Sequence, residues 1–191
     1  MTSFCKRAPG GLAALSSILV LLSGPAANAQ QPPLVREATA LVAKFVAADT
    51  MGDAKAAEAL WYPSPPGGGV PYCELAAEGF EIMRSAAVLT GTVVGDSVRV
   101  SVRYKILGHA WSEDPQTAGR TSWRFKRRVT DKTFVLSVVR DSVGKLWIAC
   151  IRRVPPNHLT ISKWRELVPL LDSRSLEEWN AAVRDDALGG H

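Results

Sequence analysis

Apolar residues recur at the spacing of an α-helix between residues 34 and 46. Their positions, at i, i+4, i+7, i+8, i+11 and i+12, place them on one helix face. They are Leu34, Ala38, Leu41, Val42, Phe45 and Val46. Gly52 is expected to end this helix, and Asp53 to cap a short alanine-rich helix from Ala54 to about Trp61. The segment from Pro63 to Pro71 is rich in proline and glycine and therefore predicts a loop.

After this loop the apolar period changes to that of β-strands, in which side chains alternate between two faces. The predicted strands are Phe80 to about Val94, Ser97–Leu107, Arg120–Val129, Thr133–Arg140 and Lys145–Ile151. In the first strand, Ala87, Leu89 and Val93 share one side. The second strand alternates most regularly, with apolar residues on one side and mostly basic residues on the other. The apolar positions are Val98, Val100, Val102, Tyr104 and Ile106, and the opposite positions are Arg99, Ser101, Arg103 and Lys105.

Helical signals return after Pro155-Pro156, which should end the sheet. Thr160 is placed to cap a third helix, and Ser175 to Glu178 forms a capping box that should open a last helix. The expected inner stripe of that helix is Leu176, Trp179, Val183 and Ala187. Helices and strands that are segregated along the chain predict an α+β fold. N-terminal helices should pack on a curved antiparallel sheet of four to five strands, followed by C-terminal helices.

The first 29 residues have the pattern of a secretory signal peptide. A positive start at Lys6 and Arg7 precedes an apolar run from Leu12 to Leu22, and Ala27-Asn28-Ala29 provides the small residues of a cleavage site. The apolar run is shorter than the roughly 20 residues that span a bilayer. We therefore expect cleavage near Ala29 and a secreted or periplasmic protein without a transmembrane segment; an uncleaved anchor is the alternative. Residues 30–191 should form a single domain, with 160–191 as a helical extension.

Composition limits the chemistry of the mature chain. The net charge falls from +5 to +3 when Lys6 and Arg7 are removed, a mild excess that does not by itself predict a nucleic-acid partner. Cys73 and Cys150 form either a disulfide, as an oxidising compartment permits, or two buried thiols. The sequence contains no paired C-x-x-C motif, no H-E-x-x-H and no dinucleotide fingerprint, so we expect neither a metal site nor a cofactor.

Three segments resemble the nuclear-transport-factor-2-like superfamily, a group of cone-shaped α+β domains. They are the helix Leu34–Asp49 with the short helix after it, the strand around Val100–Tyr104, and the hairpin Val138–Ile148 with its W-x-I ending. The stretch Pro155–Thr160 is similar to the tail of secreted members. The order of these segments, over about residues 34–165, carries the resemblance.

The resemblance implies a pocket between the curved sheet and the long helix. Some members of the superfamily are enzymes, such as ketosteroid isomerase and limonene-epoxide hydrolase, and many only bind ligands or proteins. No acid–base pair of the enzymatic members matches this chain residue by residue, so no catalytic residue is carried over. The sequence therefore favours a non-catalytic module, monomeric or homodimeric, that binds a small apolar ligand or a partner protein. The alternative is a cofactor-free isomerase, dehydratase or hydrolase.

Candidate site residues fall into three groups. Rings that could line an apolar pocket are Trp61, Tyr62, Tyr104, Trp123, Phe125 and Trp147. Cations that could bind an anionic envelope component are Arg99, Arg103, Lys105, Arg120, Arg124, Lys126 and Arg128; a solvated strand face is the alternative. His109 and Glu113 are the candidates for acid–base chemistry, against an ordinary turn. Asn157 and His158 are expected to have structural roles at a turn and a helix start.

Overall fold

The structure, a computed structural model, describes residues 31–62, 79–112, 123–149, 157–166 and 171–188. The helices are α1 (Pro33–Thr50), α2 (Ala54–Glu58), α3 (Ile161–Trp164) and α4 (Ser173–Leu188). The strands are β1 (Gly79–Val94), β2 (Ser97–Ser112), β3 (Trp123–Arg140), β4 (Leu146–Ile148) and β5 (His158–Thr160). The predicted signal peptide, the 63–71 loop, Cys73, Cys150, Glu113 and Arg120 lie outside the described residues.

The two N-terminal helices form where the sequence predicts them. Proline at the first position of α1 suits a helix start, because its missing N–H would have no helical partner there. After α1, Gly52 has a positive φ of 74°, a conformation that side chains other than glycine disfavour. The Asp53 side chain then accepts a hydrogen bond of 3.0 Å from the Ala56 backbone N–H and caps α2.

The five strands form one curled sheet in the order β4-β3-β2-β1-β5. The first four pair in antiparallel fashion, and β5 adds to the edge of β1 in parallel, so the sheet is mixed. The α+β architecture and the curved sheet are confirmed. In the described residues, no helix is both long enough and apolar enough to cross a membrane.

The sequence predicts two strands where the structure has the single strand β3. A bulge explains the difference: β2 advances by two residues from Ile106 to Gly108, while β3 advances by three from Arg127 to Thr130. The buried residues of β3 change parity across this shift, from Trp123 and Phe125 to Val138, so the period-2 pattern breaks there. A Cβ at Gly108 would collide with the Phe125 ring and the Lys126 carbonyl oxygen, so this close packing requires glycine.

Helix α1 packs on one face of the sheet, which we call the inner face. Its β2 residues are Val98, Val100, Val102, Tyr104 and Ile106, all buried as the alternation predicts. On β1 the buried residues include Met83, Ala86 and Val88, whereas the predicted set differs: Ala87 and Leu89 are half-buried and Val93 is exposed. The register between β1 and β2 shifts at several points, so the burial of β1 residues does not follow a simple alternation.

The described residues form two apolar clusters, on opposite faces of the sheet: Ile82 and Leu159 of the second cluster directly follow Glu81 and His158, whose side chains lie on the inner face. The first lies between α1 and the sheet and includes Val42, Phe45, Val100 and Val138. The second lies under α3 and α4; it is Ile82, Ala110, Trp123, Phe125, Leu159, Trp164, Trp179 and Ala182. The large rings of β3, α3 and α4 pack together in the second cluster and attach the C-terminal helices to the sheet.

The start of α4 differs from the prediction. The helix begins at Ser173, and Asp172 caps it by accepting a 2.7 Å hydrogen bond from the Ser175 N–H, so Ser175 is not the cap. Because the start is shifted, Leu176 is exposed, and the buried residues of the helix include Trp179 and Ala182. The capping-box prediction was therefore wrong in position by one helical turn, although it found the helix.

Candidate ligand-binding site

A carboxylate lies on the buried face of α1, at the end of its apolar stripe. Asp49 is completely buried and accepts two hydrogen bonds, one at each oxygen. Its Oδ2 lies 2.9 Å from His158 Nδ1, and its Oδ1 accepts the Asn157 backbone N–H at 2.6 Å. The carboxylate therefore joins the end of α1 to the beginning of β5, and each of its oxygens is engaged.

The imidazole of His158 is held on three sides. Asp49 fixes Nδ1, the Tyr104 ring stacks on the imidazole at 3.9 Å with a 6° angle between planes, and the Phe134 ring lies edge-on at 5.6 Å. An ionised carboxylate can only accept, so the proton of a neutral His158 lies on Nδ1 and its Nε2 is an acceptor. Nε2 is buried and has no hydrogen-bond partner among the described residues.

The Tyr104 ring packs against one face of the His158 imidazole. Burial raises the pKa of its phenol far above the usual range, and the negative charge of Asp49 adds to that increase. Both causes disfavour the phenolate. The Tyr104 hydroxyl is therefore protonated at any ordinary pH and can act as a neutral hydrogen-bonding group.

An ion pair lies beside the histidine and the tyrosine. Lys132 Nζ contacts Glu81 Oε1 at 2.5 Å, while Glu81 Oε2 is buried and has no partner among the described residues. In the sheet register Glu81 is next to His158 across β1 and β5, and Lys132 is opposite Tyr104 across β3 and β2. These residues are therefore contiguous. We call Asp49, Glu81, Tyr104, Lys132 and His158 the polar cluster.

The polar cluster approaches solvent along β3. Phe134 is opposite the buried Val102 and so lies on the inner face, yet 41% of Phe134 is exposed. The neighbouring Lys132 side chain is 30% exposed. The helices therefore do not fully cover this part of β3. The partly exposed Phe134 ring contacts the buried His158 imidazole.

The structure divides the six predicted pocket rings among different places. Tyr104 lies in the polar cluster, and Trp61 packs against the first apolar cluster. Trp123 and Phe125 belong to the second cluster, with Trp164 and Trp179. Tyr62 is exposed, and Trp147 donates its indole N–H to Asp141 at 2.8 Å while Lys145 lies over its ring. The rings therefore do not form one shared lining.

The predicted basic residues of β2, Arg99, Arg103 and Lys105, alternate with its inner-face residues and therefore lie on the opposite, outer face of the sheet. Arg99, Arg103, Lys105, Lys126 and Arg128 are exposed. Arg124 forms an ion pair with Asp172, and Lys105 is opposite Asp131 in the register. These carboxylates neutralise part of the predicted anion-binding surface, and Arg99 and Arg103 are its exposed arginines on the central strand.

The acid–base candidate His109 lies on β2, half-buried, with its ring stacked on Trp111 at 5.7 Å. It pairs with Glu81 in the β1–β2 register and with Lys126 in the β2–β3 register. Its predicted companion Glu113 is outside the described residues. The described residues include no group of three histidine, cysteine or acidic side chains that could hold a metal ion.

Sequence reasoning missed most of the polar cluster. One signal was available: Asp49 follows Ala38, Val42 and Phe45 at helical spacing, so it falls on the buried stripe of α1. A charged residue at such a position needs a partner. The hydrogen-bond partners of Asp49 lie 108 and 109 residues further along the chain, and no local pattern identifies them.

Comparisons with known proteins do not identify this chain. No family model, no curated protein and no solved structure matches it. The assignment of function therefore depends on the geometry of the polar cluster.

Proposed function

We propose that the protein is a secreted or periplasmic, non-catalytic module that binds a small, mainly apolar ligand at the polar cluster. The observation that carries this proposal is the buried His158 Nε2, which has no partner and is held in place by Asp49. A buried acceptor without a donor costs about 1–3 kcal/mol. A ligand that supplies the donor recovers that free energy.

The surroundings favour a small molecule with an apolar body. The Phe134 and Tyr104 rings lie 5.7 Å apart at right angles, and both contact the imidazole. They provide apolar contact around one polar anchor, the usual composition of a small-molecule site. A small ligand is favoured over a partner protein because the unpartnered atoms are buried, beyond the reach of a flat protein surface.

Binding is tested with phenethyl alcohol and phenethylamine, each an aromatic ring with one polar group. Either probe should produce a saturable shift of the His158 imidazole resonance in a histidine NMR spectrum. His158→Asn, which removes Nε2 and keeps a possible donor to Asp49, should weaken binding about tenfold. His109→Asn is the matched control and should bind normally. If neither probe moves the His158 resonance of the wild-type protein, the proposal is wrong.

A second candidate is a cofactor-free isomerase, dehydratase or hydrolase that uses the same site. The Asp49–His158 contact favours it, because a carboxylate that fixes Nδ1 leaves Nε2 available to accept a proton. The test is exchange of a carbonyl compound's α-protons for deuterium in heavy water. Exchange that disappears in Asp49→Asn, while probe binding remains, would establish catalysis; exchange at the buffer rate would exclude this reaction.

A further inference from the structure

Two buried acceptor atoms of the polar cluster lack a donor. Glu81 Oε2 and His158 Nε2 each have no hydrogen-bond partner in the described part of the chain. Glu81 and His158 are register partners on β1 and β5, so their side chains leave the sheet next to each other. Lys132 is bonded to the other carboxylate oxygen of Glu81, Oε1. A ligand in contact with both atoms must therefore supply hydrogen-bond donors.

The charges of the cluster specify the donor further. For the Nδ1–H tautomer of His158, the charges of the cluster are the two negative charges of Asp49 and Glu81 and the one positive charge of Lys132. The net charge is negative, and buried charges are expensive without an opposite partner. A carboxylate or phosphate on the ligand would be repelled and would bring no donor. An ammonium group brings three donors and one compensating positive charge.

The rings beside these acceptors also suit a cation. Tyr104 stacks on His158, and Phe134 contacts both of them. Aromatic faces attract ammonium groups through the negative centre of the ring. Burial keeps the Tyr104 phenol protonated, so the ring remains a neutral surface with a hydroxyl group.

We infer that the ligand is an apolar primary amine, whose ammonium group donates to Glu81 Oε2 and His158 Nε2. This inference rests on the proposed function, because it specifies the polar group of the same ligand. The body of the amine lies against Phe134, toward the side on which the cluster approaches solvent. Glu81 is then the residue that selects the charge of the ligand.

A matched series of probes tests the charge selection. Phenethylamine, phenethyl alcohol and phenylacetate share one ring and differ in the head group, and their affinities for the wild-type protein are measured by titration calorimetry. We expect phenethylamine to bind at least tenfold more tightly than phenethyl alcohol, and phenylacetate to bind most weakly. If phenylacetate or the alcohol binds as tightly as the amine, the inference is overturned while the proposed function survives. If none binds, both fail.

A variant of Glu81 tests whether this residue selects the positively charged ligand. Glu81→Gln should reduce the affinity for phenethylamine about tenfold and change the affinity for phenethyl alcohol less than twofold. Glu58→Gln, on the exposed surface of α2, is the control with the same change of charge. Unchanged preference for the amine in Glu81→Gln would overturn the role of Glu81. The wild-type probe series gives its answer even if this variant does not fold.

Discussion

His158 Nδ1 lies 2.9 Å from Asp49 Oδ2, and this contact joins residues that are 109 positions apart in the chain. Asp49 is at the C-terminal end of α1, and His158 opens the edge strand β5. The contact therefore attaches the first helix to the last strand and also fixes the orientation of the imidazole. We therefore expect both the stability of the fold and the proposed ligand binding to depend on this hydrogen bond.

Removing this carboxylate should destabilise the fold strongly. Asp49→Ala leaves the Asn157 N–H and His158 Nδ1 without their shared acceptor, and we expect a loss of about 2–5 kcal/mol in the free energy of unfolding. Urea denaturation measures the loss. Glu37→Ala, on the exposed side of the same helix, should cost less than about 1 kcal/mol. Similar stabilities of the two variants would show that the contact contributes little.

The C-terminal helices should depend on one tryptophan. Trp164 is fully buried and contacts the rings of Trp123, Phe125 and Trp179. We expect Trp164→Ala to lower the free energy of unfolding by about 3–5 kcal/mol, because it leaves a large cavity. Leu176→Ala, at an exposed position of α4, should cost less than about 1 kcal/mol. A small effect of Trp164→Ala in urea denaturation would contradict the description of this core.

Acid should weaken the hairpin between β3 and β4. The Trp147 indole N–H, followed by the backbone N–H groups of Lys145 and Val143, lowers the pKa of Asp141 by bonding its ionised form. A lowered pKa in the folded state contributes stability above the unfolded value, near pH 4, and loses it as the pH falls through the folded value. The stability difference between wild type and Asp141→Asn should therefore be constant above about pH 5 and shrink below about pH 4.

Thermal unfolding between about pH 3 and pH 6 measures this difference. Asp96→Asn, in the exposed turn between β1 and β2, is the matched control. A difference that is the same throughout this range would mean that the Asp141 hydrogen bonds do not favour the ionised carboxylate.

The outer face of the sheet should bind anionic surfaces weakly and in a salt-dependent manner. Arg99 lies between Thr92 and Ser137 in the register, and Arg103 lies between Ala87 and Thr133, so neither faces a carboxylate across the sheet. We expect the double variant Arg99→Gln/Arg103→Gln to lose most binding to vesicles that contain anionic phospholipid. Binding by the wild type should fall steeply as salt is raised.

The control for this experiment removes two charges elsewhere. Lys44→Gln/Lys55→Gln changes exposed helix positions by the same net charge and should retain vesicle binding. Equal losses in the two double variants would show a general effect of net charge. Binding that does not respond to salt would reject an electrostatic surface.

The sequence alone determined the local structure of this protein. Helical spacing predicted α1, glycine and aspartate predicted the junction to α2, and strict alternation predicted which side of β2 is buried. These features depend on neighbours within a few residues, so a pattern along the chain is sufficient to reveal them. The sequence did not predict that β3 is a single strand, because its buried residues change parity at a register shift without ending the strand.

The tertiary structure decided the site. Asp49, Glu81, Tyr104, Lys132 and His158 come from five elements, and only the curling of the sheet against α1 brings them together. His158 precedes a helix and so suggested a local role, yet its ring is defined by contacts with Asp49 and Tyr104. Contacts between side chains that are far apart in the sequence depend on strand register and helix packing, and the whole fold sets both.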